Sequence, residues 1–216
     1  SYPTMDGIAD SICSTYSKQF RRGVIQWDKF PDGYFNIQFE HMDELESRHV
    51  VFLGSLYDPG KLLEQLSMTL VLPRQFIQSL NILFPYFGPA TMERVEEEGT
   101  VATAETTARI ISSCLPQTRS GTPILRIFDI HALPIRFYFT DNVAMKMMSM
   151  VPQLVSRLRN QNITIAFPDE GAFKRFKKQF ESFPTVICAK IRDGNKRIIK
   201  ITDRLHWPVN DEHLMD

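Results

Sequence analysis

The chain has 216 residues, 43% of them hydrophobic and 23% charged, which is the profile of an ordinary globular protein and excludes a disordered, collagen-like or fibrous chain. Twenty-five basic residues balance twenty-five acidic ones. A duplex-binding protein draws affinity from an excess of Lys and Arg, so nucleic acid is not an expected partner. No run approaches the roughly 18 apolar residues that a membrane-crossing helix needs, and SYPTMDGIADSICS has no signal-peptide pattern.

In chain order, short apolar runs rich in Ile, Val and Phe predict strands at HVVFLGS (49–55), NILFPYF (81–87), PILRIFDIHA (123–132), NITIAFPD (162–169), TVICAKI (185–191) and RIIKI (197–201). Between them, apolar spacings of three and four predict helices over 59–79, 101–115, 143–159 and 171–182. The third would carry Met145, Met147, Met148 and Met150; the last sets Phe173, Phe176 and Phe180 on one face. Strand and helix in alternation imply an α/β fold, a mostly parallel sheet with helices on both faces and strands that are apolar throughout. Cys13, Cys114 and Cys188 are too few and too widely spaced for a disulfide framework or a structural zinc site. Reduced thiols in a cytoplasmic protein are the expectation.

A parallel sheet binds ligands beyond the carboxyl ends of its strands. There the sequence places Asp129-Ile130-His131, then Pro168-Asp169-Glu170-Gly171, then Lys190-Ile191-Arg192-Asp193-Gly194. A histidine, two acids and several cations on one rim have the composition of a metal–phosphate site. Each has a plainer reading. His131 can be a core histidine, or can share a strand face with Asp129 at the site. Asp169 can cap a helix, hold Mg²⁺, or do both. Asp193-Gly194 is a hairpin signal, and the cations around it are either solvated or a loop that closes over phosphates. Neither a Walker sequence nor G-x-G-x-x-G is present.

KFPDG (29–33), FPYFGPATMER (84–94), FDIHA (128–132), FPDEGAFKRF (167–176) and AKIRDG (189–194), in this order and spacing, resemble the ribose-phosphate diphosphokinases, the phosphoribosyl pyrophosphate synthetases, and most of all their plant-type branch. The resemblance implies two phosphoribosyltransferase-like domains, expected at 1–140 and 141–216, the second incomplete. It implies transfer of diphosphate from Mg-ATP to ribose 5-phosphate, giving phosphoribosyl pyrophosphate and AMP. It implies that His131 and Asp169 sit at the Mg-ATP site and that Lys190 and Arg192 stabilise the transition state. Phe30 and Asp32 would hold the adenine, reaching in from a neighbouring subunit, and Arg94 would line the ATP phosphates. A homo-oligomer, dimer or hexamer, is expected.

Three departures bear on this. Thr91 stands where the family has an ATP-stacking Arg, and a small hydroxyl side chain cannot replace a planar cation. Tyr34 stands where the adenine site has an acid, and no Ser/Thr-Gly loop able to cradle a sugar phosphate occurs in these residues. That loop is expected in a segment beyond Asp216. The same departures support a second reading, a non-catalytic subunit that assembles with active ones.

Overall fold

A computed structural model of the chain describes residues 1–95, 97–193 and 196–205, with only the backbone of 190–193, 196–199 and 205. The chain divides into two compact units, Ser1–Ser149 and Met150–Asp216.

In the first unit the predicted runs form β3 (His49–Leu53), β4 (Ser79–Phe84) and β5 (Ile124–Phe128), joined by β6 (Ala144–Met148) in one parallel sheet of order β3-β4-β5-β6. The connecting helices are α2 (Leu62–Val71) and α3 (Thr103–Ser113). α2 stops short of the predicted 79 because Pro73 cannot continue it; a 3-10 turn, Leu72–Gln75, follows. α3 buries Ala104, Ala108 and Ile111, spaced for one helical face.

The strands alternate instead of being apolar throughout. On β4, Leu80, Ile82 and Phe84 are buried, while Ser79, Asn81 and Leu83 are only partly covered. Strands laid side by side in chain order, joined by right-handed crossovers, bring their connections to one face. That face packs Phe52, Ile82, Leu125 and Ile127 against Leu66, Leu72, Ala108 and Ile111. The other face is covered only in part, where α1 (Asp6–Thr15) sets Ala9 and Ile12 with Leu53 and Leu83. Elsewhere on it Arg126 donates to Asn81, and His49 Nδ1 lies 2.7 Å from Ser79 Oγ.

Two elements differ from expectation. The methionine-rich part of the predicted 143–159 helix is β6, and only Val151–Leu158 is helical, as α4. Residues 20–40, given no element above, form the antiparallel hairpin β1 (Ile25–Lys29) and β2 (Phe35–Phe39). Its Ile25, Trp27, Ile37 and Phe39 pack on the main core. The division between units falls after β6 and not at 140/141, because β6 completes the first sheet by pairing with β5.

The second unit holds α4, β7 (Ile165–Phe167), α5 (Glu170–Phe176), β8 (Thr185–Asp193) and β9 (Lys196–Leu205). β7 and β8 are parallel, while β8 and β9 are antiparallel with an irregularity at Ile187/Cys188. Val151, Phe167, Phe180 and Phe183 form its core, with Phe173 and Phe176 packed against them as predicted.

Candidate functional site

In the first unit the candidate residues gather on loops after the strands. β5 ends at Phe128, so Asp129 and His131 do not share a strand face. Asp129 takes a left-handed conformation (φ 43°) that an aspartate tolerates better than most residues. Its N–H donates to Met148 O at 2.9 Å, and its Oδ1 accepts from Ser149 Oγ at 2.6 Å. Beyond this bend Ile130 is buried and His131 is exposed, which rules out the core-histidine reading.

The loops after β3 and β4 approach each other closely. A Cβ on Gly88 would stand 2.5 Å from Leu56 O, so only glycine fits there. The buried Gln65 side chain of α2 closes the loop after β3, accepting from Ser55 N and donating to Ser55 O, both at 2.7 Å. Arg94 lies exposed in the loop after the 3-10 turn Gly88–Thr91, its Nε 3.4 Å from Glu93 Oε1. Tyr138 Oη donates to Glu93 O at 2.6 Å and ties this loop to the turn that follows His131.

Phe30 and Asp32 form the tip of the β1–β2 hairpin. Phe30 N donates to Tyr34 O at 2.8 Å and Gly33 N to Phe30 O at 2.9 Å. Gly33 takes φ 89°, a backbone that favours glycine. Asp32 Oδ1 accepts from Tyr34 N at 3.1 Å, so this acid also shapes the turn. Phe30 is 50% exposed and Tyr34 75%, two rings presented outward from one tip.

In the second unit Asp169 is the N-cap of α5, its Oδ1 accepting from Ala172 N at 2.8 Å, which is the cap the sequence predicts. It lines a cavity of about 670 Å³ with Glu170, Gly171, Cys188, Thr202 and Asp203. Lys190 and Arg192 stand two apart on β8, in register with Ile199 and Arg197 of β9. Their side chains, and Gly194 and Asn195 altogether, lie outside the described residues, so the expected phosphate-closing loop does too.

Among the described residues no three His, Cys, Asp or Glu side chains cluster as a metal cage. Among the same residues no helix is long and apolar enough to cross a membrane.

The chain is 46% identical over 183 residues to ribose-phosphate pyrophosphokinase 4 of rice (Oryza sativa subsp. japonica), covering 83% of this chain and 56% of that protein. It is 45% identical over 205 residues to the mitochondrial ribose-phosphate pyrophosphokinase 3 of spinach (Spinacia oleracea), covering 93% and 50%. A third relative, the chloroplastic ribose-phosphate pyrophosphokinase 3 of Arabidopsis thaliana, is 45% identical over 83% of this chain and 44% of its own. The chain therefore spans about half the length of the curated relatives it matches. The phosphoribosylpyrophosphate synthetase of Mycobacterium smegmatis superimposes with a TM-score of 0.70 at 17% identity, over 92% of this chain and 64% of that one. No protein-family model matches the chain.

The parallel sheet flanked by helices thus has the architecture of a phosphoribosyl pyrophosphate synthetase. Over most of its length the chain is a homologue of the plant ribose-phosphate pyrophosphokinases.

Proposed function

We propose that this chain carries the ATP-handling part of a ribose-phosphate diphosphokinase, transferring diphosphate from ATP to ribose 5-phosphate to give phosphoribosyl pyrophosphate and AMP. The observation that carries the reading is the identity of 46% to a plant enzyme of that name over 83% of the chain. In the reaction the C1 hydroxyl oxygen bonds to the β-phosphorus, the bond from that phosphorus to the α–β bridging oxygen breaks, and AMP leaves. The hydroxyl proton passes to solvent or base. Transfers of this kind depend on positioning and on neutralising charge.

In this reading each residue has a part that its chemistry suits. Phe30 and Asp32 hold the adenine, one through its ring face and the other through its carboxylate. Arg94 neutralises phosphate charge. Lys190 and Arg192 meet the charge that develops in the transition state, where a fixed cation is most effective. His131 in the first unit and Asp169 in the second each have the chemistry to meet Mg²⁺ and the phosphates it would carry. When bound, the ion polarises the phosphoryl oxygens.

Two further proposals rest on the resemblance and the residue chemistry. The chain acts as a homo-oligomer, because an adenine pocket reached by the hairpin of a neighbouring subunit is incomplete without it. It works in the cytoplasm as a protein with three free cysteines, although two of its relatives are named for the mitochondrion and the chloroplast.

The test is AMP formation from ATP, ribose 5-phosphate and Mg²⁺ by the intact protein and by its His131→Ala variant. We expect the variant to lose about 100-fold or more in rate, because the ion that would neutralise the phosphate charge loses one of its holding groups. Wild-type protein that forms no AMP, or a variant as fast as wild type, overturns the reading.

A further inference from the structure

Glu64 places a charge where the pattern of α2 asks for an apolar side chain. It is 6% exposed, and groups from three parts of the chain meet its carboxylate. Tyr2 Oη donates to Oε2 at 3.1 Å, and Lys61 Nζ donates to Oε1 at 3.2 Å. Lys29 Nζ lies 3.4 Å from the same Oε1. A buried carboxylate is tolerated only when paired and hydrogen-bonded, and packed apolar groups in its place often serve stability as well or better. Burial of this cluster is therefore poorly explained by stability alone.

Lys29 says what else the cluster does. It is the last residue of β1, and its register partner Phe35 is the first of β2. Its Nζ also stands 5.4 Å from the centre of the Phe35 ring. One ammonium thus joins both strands of the final hairpin rung to Glu64. Glu64 in turn is held on α2, whose Leu66 and Met68 lie in the main core. Directly beyond that rung begins the tip, residues 30–34, with its outward Phe30 and its turn-shaping Asp32.

We propose that Glu64 is a positioning residue for the adenine-holding tip, fixing through Lys29 the rung on which Phe30 and Asp32 are mounted. The inference rests on the reading of those two residues as adenine contacts. Glu64 touches no substrate in it; the carboxylate sets the angle and the residual motion of the loop, and so the readiness with which the loop accepts a base.

The test compares Glu64→Gln, Lys29→Met, Lys61→Met and Phe30→Ala in the intact protein, by amide hydrogen exchange at Phe30, Gly33 and Tyr34 and by the KM for ATP. In Glu64→Gln and Lys29→Met we expect tip exchange and KM each to rise about tenfold, with kcat within about twofold of wild type. Lys61→Met removes a partner of Glu64 that sits in the turn just before α2, without touching the hairpin, and should move neither. Unchanged tip exchange in Glu64→Gln and Lys29→Met overturns the positioning role. So does faster exchange spread equally over the whole sheet in all the Glu64-cluster variants, which is the mark of a merely structural ion cluster. Failure of the adenine reading is separate: Phe30→Ala would then leave the KM for ATP unchanged, while tip exchange still reported whether Glu64 anchors the hairpin.

Discussion

The two units bury different things in their interiors. In the first, Leu72, Leu80, Ile82, Ile111, Leu125 and Ile127 are all 1% exposed or less, and with Phe52, Phe84 and Phe87 they belong to a broad, mainly aliphatic layer between a four-stranded sheet and its helices. In the second, the core cluster is Val151 and three rings, Phe167, Phe180 and Phe183. Phe180 stands 6.0 Å from Phe167 and 6.1 Å from Phe183, ring centre to ring centre. A broad, mainly aliphatic layer spreads its burial over many side chains. An aromatic cluster concentrates it in a few, each with a large apolar area. The first unit is thus built to hold strand-end loops on a broad scaffold, and the second to hang a capped helix and a long hairpin on a handful of rings.

The comparison breaks most sharply at Phe180. Phe180→Ala should cost about 3–5 kcal/mol, because the ring's contacts vanish and its neighbours can close only part of the void. In a small unit that is most of the available stability. Amides of β8 should then exchange at rates near those of an unfolded segment, while amides of β4 and β5 keep their protection. Loss of protection in both units together would mean that they unfold as one, and the contrast would fail. Leu125→Ala is the corresponding change in the first unit, at about 2–5 kcal/mol. It should lower the unfolding temperature but leave β3, β4 and β5 protected at 25 °C, since the surrounding layer still packs.

Asp169 sharpens the comparison with a smaller effect, because it combines a local structural part with a proposed chemical one. Asp169→Ala removes the cap of α5 and should cost about 1 kcal/mol. Asp169→Asn keeps a side-chain oxygen able to accept from Ala172 N and should cost a few tenths of that, yet it removes the negative charge offered to Mg²⁺. Stability retained with AMP formation lost would separate the two parts. Equal activity of Asp169→Asn and wild type would leave Asp169 as a cap alone.

These regions also differ in how far they can be read from sequence. Strands β3, β4, β5, β7, β8 and β9 are legible because short runs of Ile, Val and Phe can form little else. β6 is not, since Ala, Met and Lys at 144–148 favour a helix, and only pairing with β5 overrides that preference. The β1–β2 hairpin did carry a signal: Asp32-Gly33 lies between runs in which Ile25, Trp27, Phe35, Ile37 and Phe39 alternate with polar residues. The cap at Asp169 is a local interaction and therefore readable. The bend at Asp129 is local too, but φ 43° is fixed by Met148 and Ser149, which arrive from β6 and its end. The Glu64 cluster is beyond any local pattern, because Tyr2, Lys29 and Glu64 meet only after the hairpin and the N-terminal segment have docked on α2.

Tyr2 offers the finest probe of that docking. Burial, and then the nearby Glu64 carboxylate, push the Tyr2 phenol up from 10.0 to about 12. Both causes penalise the phenolate in the folded state and leave the neutral phenol, which donates to Glu64, in place. In the unfolded chain the phenol releases its proton near pH 10, so between pH 10 and about 12 the folded state binds the extra proton. Stability from this group is therefore fully present below pH 10 and declines as the pH rises toward the folded value. By pH 11 the loss specific to Tyr2 should be about 1 kcal/mol. Tyr2→Phe has no proton to lose, so its denaturation midpoint should fall less steeply than that of wild type over this window. Parallel curves for the two would mean that Tyr2 does not meet Glu64 in solution, and that the N-terminal segment is not part of the cluster that holds the hairpin.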